Sequence, residues 1–207
     1  MITNEVIRSF LDCPYKSFLK FHHKSGDKTE FERLECELLN DTKTKFRKSL
    51  QTSLHEHQIL QQIPEGKGNQ LVETQYVIEP LFQSNDYTIN FDVIEISPDK
   101  QSSGEFSYVP IEVVAKEAVS KLDKLSFAIK SHIISQIQQC TPEFGKIVYG
   151  RNLKTIKIHI SDYLKEVKRV LKKLIKTISS KEAPRFFQNR YCSICEFYID
   201  CNCTLST

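Results

Sequence analysis

Two stretches decide the fold that this sequence predicts: 86–97, DYTINFDVIEIS, and 107–115, SYVPIEVVA. Both are rich in Val, Ile, Tyr and Phe, which is typical of β-strands. Asp92 in the first stretch and Glu112 in the second are acids with apolar neighbours on both sides. If the two strands are adjacent, these acids lie side by side, and two like charges so close repel unless a cation lies between them.

A wider pattern of strands and helices surrounds these two stretches. Residues 70–82 have the same strand composition, so the three segments together predict a meander. The order of helices, meander, helix, strands and helix predicts a mixed sheet with helices packed against it, in the α/β or α+β class. We expect one domain over residues 1–207, with the sheet core within 70–160. Helices are predicted at 4–23, 30–62, 117–139 and 161–178, and two further strands at 145–150 and 154–160.

The two acids are candidates for a metal site. Hard carboxylate oxygens of this kind hold Mg²⁺ or Mn²⁺. Upstream, His55 lies in the sequence Ser53–His57 of the long predicted helix and is a candidate third ligand. Two other interpretations stay open at this point: both acids face solvent from an edge of the sheet, and a helical histidine is an ordinary surface residue.

A second candidate site lies near the end of the chain, where Cys192, Cys195 and Cys201 form a C-x2-C-x5-C pattern. Thiolates at this spacing favour zinc or an iron–sulfur cluster, and the spacing does not decide between them. Three ligands do not complete such a site. The fourth is either Cys203, which is close in sequence, or Cys13, which lies at a helix break formed by Cys-Pro.

Charge is distributed unevenly along the chain. The formal net charge is only +3, yet residues 151–190 hold twelve Lys and Arg against three acids. A basic face of this kind favours nucleic acid as the partner, although a solvated basic helix has the same composition.

The first residues contain no apolar signal core, and no run approaches the roughly 20 apolar residues of a membrane span. We therefore expect a cytoplasmic protein that does not enter a membrane.

These parts together resemble a known family. The segment FLDCPYKSFL, a helical histidine, an Asp strand, a Glu strand and the terminal cysteines are similar to those of the RecB-like nucleases of the PD-(D/E)XK superfamily. The resemblance is to the iron–sulfur branch, which includes the AddB nuclease domain and the CRISPR-associated exonucleases. It implies a restriction-endonuclease-like fold over nearly the whole chain, and DNA as the substrate. Members that are part of larger helicase-bearing proteins imply a helicase as a further partner.

The resemblance also implies roles for individual residues. Segments 1–24 and 185–203 would form a subregion that holds a structural [4Fe–4S] cluster. A divalent cation, Mg²⁺ or Mn²⁺, would be held elsewhere, in the sheet. The implied cluster ligands are Cys13, Cys192, Cys195 and Cys201, and the implied ligands of the divalent cation are His55, Asp92, Glu112 and the backbone carbonyl of Val113.

One position departs from the family pattern. The family has a catalytic lysine two residues after the Glu, and this sequence has Val114 there. Lys116 is our candidate replacement, and Lys121 and Lys124 are alternatives. The catalytic set is then Asp92, Glu112 and Lys116. The residues expected to bind DNA lie on the basic helix and are Lys165, Lys168, Arg169 and Lys172.

The sequence thus predicts a metal-dependent DNA nuclease, an exonuclease of DNA repair or recombination. Two alternatives stay open. One is a catalytically degenerate nuclease-fold module that binds DNA or a helicase. The other is an interaction domain that zinc holds together.

Overall fold

The structure is a computed structural model that describes residues 1–53, 59–60, 75–97 and 107–205. Within these ranges the chain is a mixture of helices and two mixed sheets, as the α+β prediction expects. The helices are α1 (Asn4–Asp12), α2 (Pro14–Phe21), α3 (Glu30–Ser53), α4 (Lys121–Gln138), α5 (Leu164–Ile178) and α6 (Tyr198–Leu205). The strands are β1 (Ile2–Thr3), β2 (Ile59–Leu60), β3 (Tyr76–Ile78), β4 (Leu81–Gln83), β5 (Tyr87–Asn90), β6 (Val93–Ser97), β7 (Ser107–Val114), β8 (Phe144–Tyr149) and β9 (Lys154–His159).

The larger sheet has six strands in the order β2-β3-β6-β7-β8-β9. Strands β6 and β7 pair antiparallel, with Val93 opposite Ile111, whereas β7 and β8 pair parallel. Helix α4 makes the crossover between β7 and β8, because a parallel pair cannot be joined by a tight turn. The smaller sheet has the order β1-β5-β4.

The predicted meander is wrong in one respect, since its first two strands divide between the two sheets. The segment predicted at 70–82 breaks into β3 and β4, and the one at 86–97 breaks into β5 and β6. The first break occurs at Glu79, which has a positive φ of 51°, and at Pro80, which has no N–H to donate. The amide of Glu79 donates to the carbonyl of Asp92 at 2.9 Å, so both strands bend at the same point.

Three helix boundaries also differ from the prediction. Helix α3 is described from Glu30 to Ser53, and residues 59–60, predicted as helix, form a strand instead. Helix α4 begins at Lys121, because Ser120 caps it in a capping box with Asp123. Helix α5 begins only at Leu164, after a 3-10 turn (Ile160–Tyr163). The break at Cys13 is confirmed, with Pro14 opening α2 as its first residue.

The two faces of the six-stranded sheet bury different partners. Phe46 of α3 packs on one face, against a small cluster that includes Ile111 and Val113. The other face packs on α4, which in turn packs on α5, and the main hydrophobic core lies there. Because side chains alternate along a strand, Glu112 points to the α4 face. In the described part of the chain, no helix is long and apolar enough to cross a membrane.

Candidate functional site

Asp92 lies at the bend between β5 and β6, and each of its two carboxylate oxygens has a partner within the chain. The backbone N–H of Val113 donates to Oδ2 at 2.7 Å. Nζ of Lys43, on α3, lies 2.7 Å from Oδ1. Asp92 is buried. Its carboxylate therefore lies against the backbone of β7, one residue from Glu112.

Glu112 has a different environment on the α4 face. Its Oε1 lies 2.5 Å from Nζ of Lys130, which is only 4% exposed. Its Oε2 is buried and has no hydrogen-bond partner among the described residues. An unsatisfied buried carboxylate oxygen is costly unless a partner is supplied from outside the chain. This atom is where a cation or a water would satisfy the site.

Sequence reasoning missed both lysines. Lys130 had a signal, since it is the one lysine in a largely apolar run of α4, FAIKSHII. A charged residue at the centre of such a run is buried only when a partner is present. Lys43 had no such signal, because it lies in a polar stretch of α3, NDTKTK.

Lys116, the predicted replacement for the family lysine, forms its ion pair with Asp123 at 2.8 Å. Arg8 of α1 binds the same carboxylate oxygen, also at 2.8 Å. Burial lowers the pKa of Arg8, but the charges of Asp12, Asp123 and Glu112 outweigh burial and raise it. The structure thus brings Lys116 to Asp123 at the start of α4, and it brings Lys130 to Glu112.

Two predicted metal ligands need separate mention. His55 lies outside the described residues. Val113 was predicted to offer its carbonyl, and the contact that the structure shows is from its N–H to Asp92. In the ranges that the structure describes, no three His, Cys, Asp or Glu side chains converge closely enough to hold a single metal ion.

The four predicted cluster cysteines line one cavity of about 530 Å³. Cys13 lies between α1 and α2, while Cys192 is in a 3-10 turn (Cys192–Ile194). The backbone N–H of Asn189 donates to Sγ of Cys192 at 3.2 Å. The side-chain amide of Asn189 donates to the carbonyl of Asp12 at 3.2 Å. One residue therefore links the C-terminal segment to the helix break that contains Cys13.

The thiols of this cavity influence each other. Burial and, to a smaller extent, the charges of Cys195, Cys13 and Cys192 together raise the pKa of Cys201 to about 11. Burial also raises the pKa of Cys195, against the opposing charge of Lys16. Each of these thiols would lose its proton more readily if a cation were bound among them, because an opposite charge favours the ionised form.

A network of ion pairs holds the cysteine segment against α2. Glu196 binds Lys20 at 2.6 Å and Lys16 at 3.2 Å, and Lys16 also binds Glu32 of α3 at 2.9 Å. Burial opposes ionisation of Glu196, but the hydrogen bond from Lys20 and the charge of Lys16 lower its pKa. A Cβ on Gly26 would lie 2.3 Å from the carbonyl oxygen of Glu196, so only glycine allows this close approach.

The basic helix predicted to bind DNA is α5. Its apolar side faces the main core, through residues such as Val167 and Leu174. Its opposite side is exposed and carries cations. The four residues predicted to bind DNA, Lys165, Lys168, Arg169 and Lys172, are all exposed on this side.

Comparison with known proteins finds several similar solved structures. No family model matches the sequence, and no curated protein is similar to it. A solved structure described as the crystal structure of SSO0001 is similar at 12% sequence identity, with a TM-score of 0.46. The similarity covers 96% of this chain and 84% of that chain. A similarity of this size does not assign a fold family or an activity to this chain.

Proposed function

We propose that this protein is a metal-dependent nuclease that hydrolyses phosphodiester bonds in DNA, with an exonuclease role in DNA repair or recombination. One observation carries the proposal: Oε2 of Glu112 is buried without a partner among the described residues. Glu112 directly precedes Val113, whose backbone N–H donates to Asp92. A hard carboxylate oxygen in this position is suited to Mg²⁺ or Mn²⁺. We also propose a cytoplasmic location and a helicase as a further partner.

The residue types present suit both proposed metal groups, although no three of these side chains converge in the described ranges as they stand. Asp92 and Glu112 supply hard oxygens, and the Val113 carbonyl is a further candidate. A divalent cation, when bound, would lower the pKa of a water and neutralise the scissile phosphate. Four soft thiols lining one cavity suit a [4Fe–4S] cluster, which would tie the helix break at Cys13 to the C-terminal segment.

Other residues have roles in holding the DNA. The exposed cations of α5 would contact successive phosphates of the backbone without reading its sequence, so binding would weaken as salt rises. Lys116 lines the same cavity as the cysteines and its side chain is 38% exposed, so it is available to a DNA phosphate at that cavity. Nearby, Arg8 adds a second cation on Asp123.

Cleavage of end-labelled single- and double-stranded DNA in Mn²⁺ tests the proposal. We expect the wild-type chain to cut. We expect Asp92→Asn to cut DNA on the order of 100-fold more slowly. Loss of a metal ligand should lower activity at least as much as loss of the groups that hold such a ligand in place. Glu95→Gln is a matched control, since Glu95 is an acid of β6 that pairs with Lys146 and is not a predicted metal ligand. Equal residual cutting by wild type and Asp92→Asn would overturn the nuclease proposal.

A second candidate function is a catalytically inactive nuclease-fold module that binds DNA or a helicase. Two observations favour it: Val114 replaces the lysine of the family pattern, and lysines already neutralise both carboxylates. If the labelled DNA is not cut in Mn²⁺ but binds to the protein with an affinity that falls as salt rises, the result supports this candidate. Colourless protein that carries stoichiometric zinc would instead support the zinc-stapled interaction domain.

A further inference from the structure

Two lysines approach the candidate metal ligands from opposite faces of the sheet. Lys43 reaches Asp92 from α3, and Lys130 reaches Glu112 from α4. Nothing in the cleavage chemistry described above uses either lysine. Each ammonium lies on one oxygen of its carboxylate, at 2.7 Å and 2.5 Å respectively.

Lys130 is held in a fixed position. It is buried, and its Nζ lies 5.2 Å from the centre of the Phe91 ring, which precedes Asp92 in the chain. Burying an ammonium costs several kcal/mol, and a buried pair repays that cost only with close geometry. If the pair had no role, apolar residues of similar size would serve the fold as well or better. The pair therefore needs an explanation beyond packing.

A third carboxylate–lysine pair in the same sheet provides a contrast. Glu95 of β6 pairs with Lys146 of β8, and both side chains are 29% exposed. Oε2 of Glu112 is buried without a hydrogen-bond partner among the described residues, whereas neither oxygen of Glu95 is buried and unpartnered. A lysine on a carboxylate is thus common to this sheet, but an open buried oxygen beside it is found at Glu112.

Resting on the proposed nuclease function, we propose that Lys43 and Lys130 are positioning residues that hold Asp92 and Glu112 and compete with the divalent cation for them. A cation that binds Oε2 of Glu112 must share that carboxylate with the Lys130 ammonium. Like charges at such distances repel strongly where water is excluded. The two lysines therefore weaken cation binding and order the carboxylates in the cation-free protein.

Titration of Mn²⁺ into the purified full chain by calorimetry tests this inference without measuring activity. The variants are Lys130→Met and Lys43→Met, with Lys146→Met as the matched control. We expect Lys130→Met and Lys43→Met each to tighten Mn²⁺ binding at least threefold, and Lys146→Met to leave it unchanged. Lys43 is partly exposed, so its variant tests the inference even if Lys130→Met does not fold, which circular dichroism reports.

The outcomes separate this inference from the proposed function. If wild type binds Mn²⁺ and the folded variants bind it equally or more weakly, the inference is overturned while the nuclease proposal stands. If only the variants bind Mn²⁺, the inference is supported and the nuclease proposal for the wild type is overturned. If neither wild type nor any folded variant binds Mn²⁺, both are overturned.

Discussion

The carboxylate pair and the cysteine cavity differ in how the protein treats their charge. Asp92 and Glu112 each receive an ammonium from a neighbouring helix, so their negative charges are balanced within the described chain. The thiol of Cys201 instead stays neutral when no metal is bound, since burial together with neighbouring cysteines raises its pKa to about 11. On the proposed metal sites, a cation at the sheet would compete with two ammonium groups, whereas a metal among the cysteines would have to displace protons from the thiols.

The largest expected effect tests the cysteine half of this comparison. On the proposed cluster, Cys13→Ser should remove the metal and cost more than about 4 kcal/mol in the free energy of unfolding, because structural metal sites contribute about 10–16 kcal/mol to folding. Iron and zinc analysis with visible absorption measures the metal, and urea unfolding measures the stability.

The control for this experiment is Cys36→Ser, since Cys36 is exposed on α3. That variant should keep its metal and its stability. Cys203→Ser should also keep the metal, because the predicted cluster does not use Cys203. Full metal content in Cys13→Ser would show that the fourth ligand is not Cys13.

A smaller effect is expected where α1 and α4 meet beside the sheet site. Burial raises the pKa of Asp123, but hydrogen bonds from Lys116 and Ser120 and the charge of Lys116 lower it to about 2 from an ordinary 3.8. A depressed pKa contributes stability above the unfolded value, and that stability is lost as pH falls from about 4 to about 2. We expect Asp123→Asn to lose about 2 kcal/mol at neutral pH.

Urea unfolding as a function of pH measures this contribution. The stability of Asp123→Asn should fall less steeply than that of wild type in the acid range, since the titrating group is gone. Asp162→Asn, at an exposed position in the 3-10 turn before α5, is the control and should follow wild type. Parallel curves for wild type and Asp123→Asn would contradict the assignment of this stability to Asp123.

The smallest effect is expected on α5, which belongs to neither site. Replacing Lys168 and Lys172 by Ala should lower the slope of log affinity for DNA against log salt by about 0.9 for each phosphate that the helix no longer neutralises. Fluorescence anisotropy with a labelled duplex at several salt concentrations measures the slope. Lys48→Ala is the control, because Lys48 is exposed on α3, which packs on the other face of the sheet. An unchanged slope would remove α5 from the DNA interface.

Local sequence predicted much of the secondary structure. The Cys-Pro break between α1 and α2 is confirmed, because proline at the first position of a helix is a strictly local preference. The split of the meander was not predicted. It depends on the contact between Glu79 and Asp92, which are thirteen residues apart and meet only when two strands bend together.

The candidate site was predicted only in part, because local patterns can be recognised in the sequence and contacts between distant residues cannot. Asp92 and Glu112 were found because an acid inside an apolar stretch can be recognised in the sequence itself. Lys130 was missed because its partner Glu112 lies eighteen positions away, on a different element. Lys116 was chosen by its closeness in sequence to Glu112, whereas in the structure it pairs with Asp123 of α4.

The sequence by itself determined the residue types: two acids in apolar stretches, three cysteines at metal-binding spacing and a basic amphipathic helix. These follow from alternation, helical period and ligand spacing, which are properties of a few neighbouring residues. Only the tertiary structure decided which cation meets which carboxylate, and which cysteines share a cavity. Those contacts depend on α3 and α4 packing against the larger sheet and on α1 and α2 packing together. The free energy of that packing cannot be read from any short segment.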